Sequence, residues 1–154
     1  MPTSKHRKQR RAYVPSARRI PIILRHNSAA ECQLMLVPHE ELEKLRTGMA
    51  TEESWHTLAF RINVGQALAV AYFTPDVREA LSEAAIAVSE VGKRYMTEKR
   101  LGVTGDQFRA IARGLTLTDD LQKITTRREQ LEAHQFALKT AAQVPAGEVF
   151  TCIR

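Results

Sequence analysis

Eight basic side chains crowd the first 26 residues: Lys5, Arg7, Lys8, Arg10, Arg11, Arg18, Arg19 and Arg25. No acid interrupts them, because the first in the chain is Glu31. The chemistry such a run can do is phosphate neutralisation. Each Lys or Arg that pairs with a phosphate releases condensed counterions, which gives affinity with little sequence preference. Tyr13 adds an aromatic face on which a base could stack. Lys5, Arg7, Lys8, Arg10, Arg11, Tyr13, Arg18 and Arg19 are therefore the candidate nucleic-acid-binding residues, with an acidic protein surface as the other partner they suit. The competing reading is a solubilising tail that binds any polyanion weakly. The other 128 residues carry 15 basic and 17 acidic residues, a net of −2, so the overall +6 describes an arm and not a basic body.

Other chemistry-bearing residues are sparse. Cys32 and Cys152 are far apart and neither lies in a CxxC pair, so two free thiols are expected. Among His6, His26, His39, His56 and His134 none makes HExxH or an i,i+4 pair. His39-Glu40-Glu41 and Glu132-Ala133-His134 contain metal-capable groups, but without ligand spacing they read as solvated helix faces, and no metal or cofactor is predicted. No GxxxxGK[ST], GxGxxG or GxSxG occurs. Asp119 and Asp120 are adjacent and point about 100° apart on a helix, so capping explains them better than a shared metal. An enzyme would need distant residues brought together by packing, Glu83 with His134 for example. No catalytic residue is assigned, and a non-enzymatic protein is expected.

The elements that must carry these residues read as helices. With 154 residues, 44% hydrophobic and 26% charged, the chain is long enough for one stapling-free core, and no apolar run reaches transmembrane length. No apolar segment follows the basic run as a signal peptide would require. Residues 1–18 read as a disordered basic arm, since dense like charge with few apolar residues resists compaction. Residues 19–27, with Ile20-Pro21-Ile22-Ile23-Leu24, read as an extended strip lying on the body. Residues 28–147 read as the bundle and 148–154 as an apolar tail.

Within the bundle, residues 28–37 could be helical or extended, with Pro38 kinking a helix or opening one that runs to Thr47 before Gly48. Glu40 and Lys44 are placed to pair on it. A second helix begins after Thr51 and is apolar on two sides, Trp55, Leu58 and Ile62 on one, Phe60, Val64 and Leu68 on the other, which predicts a central position. Gly65 within it either permits a close helix crossing or is simply tolerated. Thr74-Pro75 opens a third helix with the seam Val77, Leu81, Ala84, Val88, Val91 and Tyr95, ended by Gly102. Thr104 and Gln107 have the spacing of a capping box for a short helix that stops near Gly114. Thr116-Leu117-Thr118-Asp119 repeats that signature, and a last helix from Thr118 to Gln143 carries Leu117, Ile124, Leu131 and Leu138 every seven residues as its bundle-facing flank. The expectation is an all-α, up-and-down bundle of four or five helices.

Helix, turn, helix from Gln107 to Arg127 raises a DNA-binding regulator as one alternative, although Arg109, Asp120 and Lys123 fall where that motif wants apolar residues. From about Thr51 to Ala137 the chain also resembles a group of small, uncharacterised phage and prophage proteins of proteobacteria. The resemblance rests on Trp55, Leu58 and Asn63, on Lys99-Arg100-Leu101-Gly102-Val103-Thr104-Gly105, on Phe108 and Ile111, and on the opening Arg11-Ala12-Tyr13-Val14-Pro15. Pro38 and the apolar residues 34–37 depart from that group. The resemblance implies an accessory protein in a bacterial cytoplasm that binds a host protein or nucleic acid, and carries over no catalytic residue. The expected function is thus a phage-type accessory protein whose helical body binds a protein partner and whose arm contacts nucleic acid or an acidic surface. The alternatives are an inhibitor of a host defence complex, of the anti-CRISPR kind, and the DNA-binding regulator.

Overall fold

A computed structural model describes residues 28–72 and 74–149, and among them the chain forms five α-helices and no strand. They are α1 (Ser28–Thr47), α2 (Glu52–Tyr72), α3 (Pro75–Glu98), α4 (Gly105–Ile124) and α5 (Arg127–Ala141). The arm over residues 1–18, the strip over 19–27, and residues 150–154 with Cys152 lie outside the described residues.

Helix α2 is the axis, packed against each of the other four. Its two apolar sides make this unavoidable. Leu58 and Ile62, with Trp55, join Leu42 and Leu45 of α1, Ala84, Val88 and Val91 of α3, and Ile111 and Leu115 of α4. Val64 and Leu68 join Leu81, Leu121 and the α5 residues Ala133 and Ala137 in a second cluster. Full burial of each Leu or Ile contributes about 2 kcal/mol. Close approach depends on small residues. A β-carbon on Gly65 would stand 2.1 Å from Thr118 Oγ1, and one on Gly114 2.4 Å from Ala84 Cβ and 2.9 Å from Ile62 Cδ1.

The open choice at residues 28–37 falls to helix and the expected end at Gly48 is found, while three other local expectations need correction. Helix α1 is continuous across Pro38, held there by burial of that proline and docking of Leu42 and Leu45. Gly48 ends it with φ 75°, as its lack of a β-carbon allows. Lys44 pairs with Glu41 at 2.7 Å, one residue from the expected Glu40. Thr74 precedes α3 in extended geometry, but its side chain makes no capping bond. The end of α3 is Lys99 in the left-handed region (φ 55°), three residues before Gly102.

The largest correction concerns α4. The Thr104–Gln107 capping box is present, but the helix does not stop near Gly114. Gly114 is buried in mid-helix, and Thr116 and Thr118 donate their hydroxyls to the carbonyls of Ala112 and Gly114, so neither starts a new helix. The break falls at Thr125–Thr126, where Thr126 and Glu129 form a second capping box opening α5. That break resets the helical phase. Beyond it, Leu131 and Leu138 of the expected flank are exposed, while Ala133, Ala137 and Thr140 face inward; before it, Ile124 is exposed at the end of α4 and Leu117 is half-buried against the second cluster.

Candidate functional site

Three ionisable side chains from three helices meet at one point. Asp119 of α4 accepts from Arg61 Nη2 of α2 at Oδ1, 2.5 Å, and its Oδ2 lies 2.8 Å from Nε2 of His39 on α1. The side chains of Arg61 and Asp119 keep only 11% and 15% of their exposure, and that of His39 keeps 34%. Helix packing creates the junction, because these residues are 22, 58 and 80 positions apart. Arg61 is the one Lys or Arg on α2. A guanidinium on so apolar a helix is desolvated and demands a carboxylate, and Asp119 supplies it. Arg61 Nε is buried with no hydrogen-bond partner.

A carboxylate orienting an imidazole is half of a general-base arrangement; catalysis also needs a reacting group within reach and room for substrate. Here both oxygens of Asp119 are engaged in joining α1 to α2 and α4. A shallow cavity of about 230 Å³ lies elsewhere, at the α3–α4 corner, lined by Arg94, Glu98, Arg100, Gly102 and Val103. Arg94 of its wall belongs to a polar network centred on Gln107. Gln107 Oε1 accepts from Arg94 Nη2 at 2.9 Å and from the Thr104 amide at 3.1 Å, while Gln107 Nε2 donates to Glu90 at 2.8 Å.

A third polar cluster fastens the chain beyond α5. Trp55 Nε1 donates to the Val88 carbonyl at 2.9 Å. Its ring lies against Gly92, where a β-carbon would come within 2.7 Å of the ring and 2.3 Å of the Gly147 carbonyl. The Val149 amide donates to Ser89 Oγ at 2.7 Å, and Lys93 pairs with Glu148 at 3.1 Å.

The eight candidate arm residues, Lys5, Arg7, Lys8, Arg10, Arg11, Tyr13, Arg18 and Arg19, all lie outside the described residues. Cys32 is a free, exposed thiol on α1. Of the metal-capable runs, Glu41 bonds to Lys44 and Glu132 to Arg128. The Lys44 ammonium, with a hydrogen bond from Ser54, holds the Glu41 carboxyl below its ordinary value. His134 packs on Phe60 with ring centroids 5.7 Å apart and its Nδ1 against the Gln130 carbonyl, whereas Glu83 is exposed on α3. Among the described residues no group of three or more His, Cys, Asp or Glu side chains stands close enough to hold a metal ion. Nor is any helix there long and apolar enough to cross a membrane.

Sequence reasoning missed the His39–Asp119–Arg61 junction. It placed His39 on a solvated face and Asp119 in a cap. The signal that could have found it is Arg61, a lone cation on a helix apolar on both sides. Compared with protein-family models, with curated proteins and with solved structures, the chain matches none.

Proposed function

We propose that this chain is a non-enzymatic, phage-type accessory protein of the bacterial cytoplasm. Its helical body binds a protein partner and its basic arm contacts nucleic acid or an acidic surface. The observation that carries this reading is the separation of charge: eight basic residues and no acid over residues 1–26, against a body of net −2. The body supports it in two ways. The three polar clusters described above each fasten one element to another through partners inside the body. And α5 turns one face to α2 while Leu131 and Leu138, a helical repeat of seven apart, remain 45% and 61% exposed on the other.

The inhibitor reading shares that exposed α5 face and makes it the working surface, with the arm secondary. The regulator reading loses its motif, since α4 is continuous where the turn was expected.

The test is the salt dependence of polyanion binding by the full chain. Fluorescence anisotropy with a 20-base-pair duplex would compare the native arm with a variant carrying Gln at Lys5, Arg7, Lys8, Arg10 and Arg11. If the arm binds the duplex, the slope of log K against log salt falls by roughly 0.9 for each phosphate no longer neutralised, up to about 4.5 in all. An unchanged slope refutes the arm's role and leaves the body as the only functional surface.

A further inference from the structure

The corner between α3 and α4 holds cations without a counter-charge. Elsewhere in the body Lys44, Arg46, Lys93, Arg109, Lys123 and Arg128 each pair with a carboxylate. Arg94, Lys99 and Arg100 pair with none among the described residues. The local fold fixes them in place. Lys99 turns the chain out of α3 with φ 55°. Leu101 is buried in the first core cluster and Val103 packs against it, which anchors the loop and leaves Arg100 exposed beside the anchor. Arg94 is half-buried and held from two sides, its Nη2 donating to Gln107 Oε1 at 2.9 Å and its Nη1 to the Gly102 carbonyl at 3.4 Å. Gln107 is itself buried, and its Nε2 donates to Glu90 at 2.8 Å, which sets the direction of its amide. A guanidinium carries five N–H donors in a planar fork, so two such bonds leave donors for a ligand. The cavity of about 230 Å³ lies against this group, lined by Arg94, Glu98, Arg100, Gly102 and Val103. Thr104 and Gln107 cap α4 reciprocally, so the charge of the cavity comes from its side chains. Arg94 and Arg100 against Glu98 leave one net positive charge.

We infer that this corner is a binding site for one phosphodiester of a nucleic-acid strand, gripped by Arg94 and Arg100. The inference goes beyond the arm, and rests on the reading of the arm only for the class of its ligand. Geometry, charge and size select that ligand. The planar fork of a guanidinium matches two oxygens of a phosphate. A diester brings one negative charge, equal to the net charge of the lining, whereas a terminal phosphate brings more and meets Glu98. A cavity of about 230 Å³ has room for several waters at roughly 30 Å³ each. It takes a phosphate with part of its sugar, where a carboxylate group would leave most of it to water. Arg94 is already ordered by Gln107 and Glu90, so binding costs it little rotamer freedom. Lys99, next to Arg100 and held over the Tyr95 ring, adds a cation on the path of a strand. Phosphate contacts fix register and orientation rather than sequence. A nucleic acid bound by the arm is thereby anchored to the body as well, at one defined point.

The experiment measures anisotropy of the same duplex with the full chain across a salt series. Arg100→Gln changes an exposed side chain that bonds to nothing among the described residues, so the bundle stays folded. It leaves Arg94 against Glu98 with no net charge, and the slope of log K against log salt should fall by about 0.9, the share of one phosphate. Glu98→Gln does the opposite, and should tighten binding by about two- to fivefold at roughly 0.1 M salt, which no loss of structure would produce. Arg113→Gln, at an exposed cation of α4 that does not line the cavity, should leave the slope as it is. Repeating Arg100→Gln in the chain with Gln at the five arm positions separates the two readings. A fall of the slope there supports the corner whatever the arm does. An unchanged slope in Arg100→Gln overturns the corner and leaves the result for the arm standing. Failure of Glu98→Gln to tighten binding, or an equal fall in Arg113→Gln, also overturns it, the second by showing diffuse attraction. An oligoglutamate of equal charge whose binding Arg100→Gln weakens as much would assign the corner to an acidic protein instead.

Discussion

Replacing Asp119 by Ala tests whether the three-helix junction holds the body together. The substitution leaves Arg61 charged with 11% of its side-chain exposure, and strips His39 Nε2 of its partner. Breaking a buried ion pair by removing one member costs about 3–5 kcal/mol, because the other charge stays desolvated. Asp119 and His39 retain 15% and 34% exposure, so water reaches part of the junction and the lower end applies. The expected loss is about 3 kcal/mol, equivalent to a fall in Tm of roughly 6–12 °C for a domain of this size. Urea unfolding followed by circular dichroism measures it, with an unchanged m-value showing that the denatured state is the same. The paired substitution Arg61→Met with Asp119→Leu removes both charges, and should recover most of the loss, to within about 1 kcal/mol of the native chain. Salt sharpens the test. At 0.5 M NaCl the exposed pairs Lys123–Asp120 and Arg128–Glu132 are screened, whereas the cost at Asp119 should persist. A loss below about 1 kcal/mol, or one that disappears in salt, would refute the reasoning and make the junction a solvated contact.

Three further outcomes follow from local geometry. Gly65→Ala should cost about 1–3 kcal/mol by overpacking, and Thr118→Ala in the same chain should return part of it, since Thr118 Oγ1 is the atom 2.1 Å from the new carbon; urea midpoints of the single and double variants check this. Lys99→Gly should raise stability by about 0.5 kcal/mol in thermal unfolding, because φ 55° is strained for a side chain, offset in part by loss of the cation contact over Tyr95. Lys44→Ala should move the Glu41 carboxyl up toward its ordinary value in an NMR titration. Because that value is depressed in the folded chain, the associated stability is present above the unfolded carboxylate's pKa. It is lost as pH falls through the folded one, so native and variant stabilities should converge in acid.

What could be read from residue order was whatever neighbouring residues decide. The two-sided apolar pattern of α2 places it at the centre without reference to any other helix. Thr104 with Gln107 marks the start of α4 because both halves of a capping box lie within four residues. The misreadings share a different cause. Gly114 and Thr118 carry the local signs of a stop and a restart, yet both answer to other helices. Gly114 sits under Ala84 and Ile62, and Thr118 fills the space that Gly65 leaves. Thr118 also satisfies its hydroxyl on the Gly114 carbonyl, so a buried threonine costs the continuous helix little. A glycine that ends a helix and one that lets two helices touch look alike until the facing residue is known. The same holds for Asp119. Next to Asp120, behind Thr116 and Thr118, it has the composition of a cap, but its partners are Arg61 and His39 on other helices. Two facts in the chain do point past the local reading. Arg61 is stranded on an apolar helix and needs an anion. Thr126 and Glu129 repeat the Thr–x–x–acid or –amide spacing of Thr104 and Gln107 more faithfully than Thr116 and Asp119, whose shorter carboxylate reaches back less well to a cap amide. Weighing the length of the acidic side chain, and asking of each buried charge where its counter-charge must lie, moves the helix break to residues 125–126 and brings α4 to Arg61 as one uninterrupted helix.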